Sequence, residues 1–266
     1  MKIKTSWMLA LLATPMLCRA DGIPAPTIAP GDTWTYINTA ETGPNGWRQS
    51  HDSIVALRTT AEHIYVETRT ANSPQAPIES ISGLDWSRAR NVNGTEQVVS
   101  RPLAFPLGSG KQWEVKFTEQ QPTARLSSRT YDTKMRVVGH EAIDVPAGHF
   151  DAIKIEGEGQ WTADLAPTQV AGSTVVHDNN GVTAIAHAGG QKAVTTTGRL
   201  YKAVWYVPSV NRWVKTVEEY YNPNGTRAQR LTSELESFHS GTAHGGTAPS
   251  AAQAPASAVN PATPAS

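Results

Sequence analysis

The chain has 266 residues, with 23 Lys plus Arg against 23 Asp plus Glu and a single cysteine, Cys18. So even a charge offers no electrostatic reason to bind nucleic acid or an anionic membrane surface, and one cysteine excludes an internal disulfide. The length is enough to bury one sizeable core or two small ones.

Lys2 and Lys4 precede an apolar run from Trp7 to Leu17, and Cys18-Arg19-Ala20 places small residues at the two positions a signal peptidase reads. Residues 1–20 therefore read as a secretory signal peptide, with Asp21 opening the mature chain. A lipid-modified Cys18 would want a small residue just before it, and Met16 and Leu17 stand there. The apolar run is shorter than the roughly 20 residues that span a bilayer, and no later segment is both long and apolar enough. The expectation is a periplasmic or secreted protein that is not transmembrane. Loss of Lys2, Lys4 and Arg19 leaves 20 basic against 23 acidic residues, a net charge of −3. It also removes the only thiol, so no cysteine nucleophile or thiolate metal site is expected.

Residues 21–26 read as a linker and 27–239 as a single β-rich domain. Short runs of β-branched and aromatic residues, each closed by Gly, Pro or Asn, are strand signals, and no stretch sustains helical periodicity over three turns. Thr33 to Asn38, Ser53 to Arg58 and His63 to Arg69 are the strand-like pieces of the N-terminal half, with Trp34 and Tyr36 on one side. Gly31 and Gly110 each shortly precede a Trp that opens a strand, Trp34 and Trp113, which reads as two strand starts ahead of the alternative, a duplicated half. The clearest period-two run sets Tyr131, Thr133, Met135, Val137, Gly139, Glu141, Ile143 and Val145 against the even-numbered residues, one face buried and one wet. A turn at Pro146-Ala147-Gly148-His149 closes this strand into a hairpin with Phe150 to Glu156, where Ile153 and Ile155 share a face.

Residues 166–197, poor in aromatics, read as an insertion hairpin or mobile loop. Arg199 to Val207, Arg212 to Tyr221 and Arg227 to Phe238 predict a C-terminal antiparallel meander, broken at Pro208-Ser209 and at Asn222 to Gly225. Asn-Gly occurs at 45–46, 93–94, 180–181 and 224–225, a pair suited to the tight reversal of a hairpin. Two of these match the N-glycosylation pattern, which turn chemistry explains. Residues 240–266, rich in Ala, Pro, Ser and Thr and without charge or aromatic side chains, predict a disordered tail.

Chemical motifs are mostly excluded. Leu107 to Lys111 lacks the first Gly of a phosphate loop, and Gln112 stands where Ser or Thr must be. Gly157-Glu158-Gly159 lacks the third Gly of a dinucleotide fingerprint. Asp178, Asn180 and Gly181 resemble the opening of a calcium loop, but Gly189 occupies the position of its closing Glu. His140, Glu141, His149 and Asp151 lie on one predicted hairpin, yet strand alternation separates His140 from Glu141. Glu156 with Glu158, and Glu218 with Glu219, are pairs in sequence only. No catalytic residue, metal site or cofactor is predicted.

The segment from Val138 to Glu156, preceded by Phe105-Pro106-Leu107 to Trp113 and followed by Trp205-Tyr206-Val207-Pro208 to Val214-Lys215, resembles one recurring in exported bacterial proteins of unknown function. The resemblance covers roughly residues 30 to 238. Such proteins are similar in fold to the Lol-type half-barrels of periplasmic lipoprotein carriers. It implies a curved antiparallel sheet wrapped around a hydrophobic cavity.

The expected fold is thus all-β, a strongly curved antiparallel sheet forming a half-barrel or barrel-like body, with a disordered tail. The expected function is non-catalytic: an envelope protein that binds or carries a lipid or acyl chain, lined by Trp34, Tyr36, Met135, Val137, Ile153 and Ile155. A structural or adaptor role with an envelope protein partner stands second, and a carbohydrate-binding module third. A cavity lined by Trp and Ile favours lipid, exposed coplanar Trp favours sugar, and a filled core favours the adaptor.

Overall fold

The computed structural model describes residues 22–44, 46–92, 94–166, 175–177, 183–185 and 194–241. Residues 1–20, expected to be a signal peptide, the stretch from Asp178 to Gly181 and the expected tail after Gly241 lie outside these residues. The strands are β1 (Thr33–Thr42), β2 (Gly46–Thr59), β3 (His63–Thr70), β4 (Ile78–Gly83), β5 (Arg88–Val92), β6 (Thr95–Ser100) and β7 (Gln112–Thr123). They continue as β8 (Leu126–Val145), β9 (Gly148–Leu165), β10 (Val175–His177), β11 (Thr183–Ile185), β12 (Thr195–Val207), β13 (Arg212–Tyr221) and β14 (Arg227–His239). A 3-10 turn at Pro208–Val210 joins β12 to β13.

Ten strands form one antiparallel sheet in the order β4-β3-β2-β1-β14-β13-β12-β9-β8-β7, curved but not closed. Chain neighbours pair with each other, except that β14 returns to β1, and β12 pairs with β9 past the β10–β11 ribbon. The open edges are β4 and β7, and the β5–β6 hairpin lies between them, β5 touching β4 and β6 touching β7. Of the Asn-Gly pairs, Asn224-Gly225 lies in the turn between β13 and β14, Gly94 in the turn between β5 and β6, and Gly46 opens β2, while 180–181 lies outside the described residues.

The period-two reading of β8 matches its burial: from Thr133 to Val145 the odd positions are buried or half-buried and the even ones exposed. A β-bulge at Val137/Gly139 shifts the pairing with β9 without breaking that alternation, as an extra residue in one strand bends it locally. The turn itself is Pro146-Ala147, and Gly148 opens β9 with φ of 131°, a backbone region open to glycine. Its tip folds onto β14, the Ala147 N–H donating to the Leu235 carbonyl at 2.9 Å.

Curvature depends on glycines where strands crowd. A side chain at Gly159 would collide with the backbone of Asp132 and Thr133, and one at Gly198 with the Tyr221 carbonyl and the Trp161 indole. Trp161 is the cross-strand partner of Gly198 and covers it, its Nε1–H donating to the Tyr221 carbonyl at 3.0 Å. A large neighbour shielding a bare backbone replaces the packing that glycine lacks.

The core is one cluster in which Trp34, Ile64, Leu103, Ile155, Val214 and Leu235 are fully buried. Strands β4 to β7 were not read in full from the sequence. Ile78 and Ile81 of β4 are exposed and β5 and β6 are mostly charged or polar, so burial has left little pattern there.

Candidate ligand cavity

All six residues expected to line a ligand belong to the one buried cluster. They divide into two groups. Trp34, Val137, Ile153 and Ile155 sit in its filled part, where Trp34 stacks on Phe238 at 5.7 Å and meets Trp86 edge-on at 5.4 Å. Tyr36 and Met135 instead face a cavity of about 530 Å³ that the curved sheet lines and that is partly open to solvent. Trp34 and Tyr36 are also pinned by polar tips: the indole N–H donates to the Val210 carbonyl at 2.8 Å and the phenol to the Trp213 carbonyl at 2.7 Å.

The cavity draws on nearly every strand of the large sheet and on the β5–β6 hairpin. Ile54, Val66, Trp86, Met135, Leu200 and Val204 supply apolar wall. Elsewhere the wall is polar, and most of its charges are paired. Glu218 accepts from the Tyr220 hydroxyl at 2.9 Å and faces Lys202 at 3.2 Å. Arg90 holds Glu119 at 2.9 Å, and Asn38 donates to Asp52 at 2.8 Å. Burial, reinforced by the Glu218 carboxylate, pushes the Tyr220 phenol well above its ordinary value.

Arg88 and Arg212 are the exceptions, and of the two Arg212 is the buried one. It opens β13 and is 7% exposed, its guanidinium cupped by the rings of Trp86 at 4.3 Å, Trp213 at 4.4 Å, Tyr36 at 5.3 Å and Trp34 at 5.5 Å. Among the described residues its Nε and Nη1 have no hydrogen-bond partner. Burial pulls its pKa below the usual guanidinium value, an effect opposed by Tyr36 and reinforced by Arg88. Burial likewise drives the Tyr36 phenol upward, with Arg212 pulling the other way. Sequence reasoning passed over Arg212, because of the four rings around it only Trp213 is a neighbour in sequence and the other three come from distant strands and loops.

The other candidates do not assemble. His140 pairs with Asp151 at 3.1 Å and His149 with Asp144 at 2.8 Å, two separate exposed contacts. Glu218 faces the cavity, whereas Glu219 binds Arg227 and the Tyr221 hydroxyl, strand alternation having sent the neighbours apart. Glu141 joins Lys154 at 2.9 Å and accepts from the Trp205 indole at 2.9 Å. These bonds hold its carboxyl below the usual range. Trp47 is 65% exposed, while Trp34, Trp86 and Trp205 are buried.

No family model and no curated protein matches the chain. Among solved structures it is similar to a protein from Bacteroides fragilis described as exported with a YmcC-like fold, at 14% identity and a TM-score of 0.37, over 82% of this chain and 99% of that one. It is also similar to a protein from Parabacteroides distasonis described as a lipoprotein, at 16% identity and a TM-score of 0.36, over 82% of this chain and all of the other. Likeness at this level carries no argument about function.

Proposed function

We propose that this protein is a non-catalytic envelope protein that binds or carries an apolar small molecule, such as a lipid or acyl chain, inside its curved sheet. The observation that carries the reading is the cavity of about 530 Å³ with Tyr36, Trp86, Met135, Leu200 and Val204 in its wall. The volume falls in the range of about 300–1,000 Å³ common to small-molecule sites, and here the apolar side chains share the wall with Asn38, Thr68, Ser80, Thr216 and several charged groups. The Lol-type carrier resemblance belongs to the same reading. A sugar platform needs exposed, coplanar indoles, and among the described residues Trp47 is the one exposed indole.

Burying a fourteen-carbon chain at about 0.8 kcal/mol per methylene offers roughly 11 kcal/mol gross. Loss of translational and rotational freedom takes about 4 kcal/mol or more. A dissociation constant on the order of 10 µM follows. Titration of a fluorescent fatty-acid probe should give saturable binding, and Leu200→Trp, which fills the cavity from β12, should abolish it while the circular-dichroism spectrum is retained. No saturable signal from the wild type up to about 100 µM, tenfold above that constant, would sink the reading.

An adaptor role is the second reading. It is favoured by the apolar side chains that β4 leaves in solvent, Ile78 65% and Ile81 54% exposed, since exposed apolar surface can meet a partner.

A further inference from the structure

We propose that Arg212, with Arg88 beside it, anchors the oxyanionic head group of the ligand, a carboxylate or a phosphate, so that the amphiphile enters the cavity head first. The inference rests on the small-molecule reading above and adds to it the chemistry of the head group and its orientation.

An arginine is rarely buried without a partner, and one side of the usual arrangement is missing here. Both residues line the cavity, but the acidic groups in the same wall are committed elsewhere: Glu119 to Arg90, Glu218 to Lys202 and Tyr220, and Asp52 through one oxygen to Asn38. Two positive groups thus face one cavity without an acidic side chain bound to Arg212. The rings of Trp86 and Trp213 hold the guanidinium by its faces. That contact stabilises the charge but uses none of the in-plane N–H donors, which match a carboxylate or phosphate. Nε and Nη1 remain unfilled among the described residues. Asp52 Oδ1 is also unpartnered, an acceptor suited to a ligand hydroxyl.

The test compares dodecanoate, dodecyl phosphate and dodecanol by calorimetric titration of the folded protein near pH 7.5. At least one anion should bind ten or more times tighter than the alcohol, and the tighter anion identifies the source as an acyl carboxylate or a phosphate head. Arg212→Gln should bring that anion down to the alcohol's affinity and leave the alcohol unchanged. Should Arg212→Gln fail to fold, Arg88→Gln should still weaken the anion at least threefold and spare the alcohol. If the alcohol binds as tightly as both anions, the head-group inference falls while the apolar-ligand reading stands. If none of the three binds, both fall.

Discussion

Asp32 is the buried carboxylate that ties the two ends of the domain together, and its removal should be among the more costly substitutions. It is 1% exposed. Oδ2 accepts from the Ala29 N–H at 3.0 Å, and Oδ1 accepts from the Gly241 N–H at 2.8 Å and, over a long 3.5 Å, from the Ser240 hydroxyl, both beyond the last residue of β14. A hydrogen bond to a charged group contributes about 1.5–3 kcal/mol net, so the two short ones contribute about 3–6 kcal/mol. Ala29 and Gly241 are only half-buried, and water can rehydrate their N–H groups in Asp32→Ala. An expected loss of about 2–4 kcal/mol remains. With a urea dependence of about 3 kcal/mol per molar, the unfolding midpoint should fall by about 1 M. Asp32→Asn keeps the volume but turns one acceptor into a donor facing an N–H, and should cost about half as much. Ending the chain at His239 removes the Gly241 donor, so Asp32→Ala should cost less there than in the full chain, as coupled groups do. Ending it at Gly241 should leave the midpoint unchanged. An Asp32→Ala midpoint within about 0.2 M of wild type would refute the assignment, being well under 1 kcal/mol at that slope.

Ile155 is fully buried in the filled part of the core, so Ile155→Ala should destabilise by about 2–5 kcal/mol without altering the affinity of the retained fold for a fatty-acid probe. Equilibrium unfolding and titration check the two halves separately. Gly148 has φ of 131° and open space where a Cβ would stand, so Gly148→Val should cost about 1–3 kcal/mol through backbone strain alone. An unchanged denaturant midpoint would contradict it. The Glu141 carboxyl is depressed by hydrogen bonds from Lys154 and Trp205. Its contribution is therefore present above the unfolded-state value and lost as pH falls through the folded one. Glu141→Gln should be slightly less stable than wild type at pH 7, with the gap closing below about pH 4. The side chain is 42% exposed, so the gap is small, and a gap that persists at low pH would show that the loss is not ionic.

The strands whose burial alternates were legible before any fold was known. Arg212–Tyr221 is the full extent of β13, and the odd positions of β8 point inward as their apolar character requires. Gly94 and Gly225 stand at hairpin turns with φ of 83° and 82°, a tolerance that belongs to the residue itself and so is legible in sequence. Edge strands carry a weaker pattern, since one side of their backbone and much of their surface stay wet, and β4 to β6 were missed for that reason. The pairing of β1 with β14, with Trp34 opposite Phe238 and Tyr36 opposite Leu235, unites chain ends through contacts that no local signal encodes. Apolar character placed Tyr36 and Ile155 in the same core, but whether either meets a cavity or packed side chains depends on how the other strands curve. Arg212 shows the limit most plainly. Along the chain it is a polar residue after a turn, and only folding brings Trp34, Tyr36 and Trp86 from distant strands and loops around its guanidinium, because burial is decided by the whole sheet and not by the neighbours of a residue in sequence.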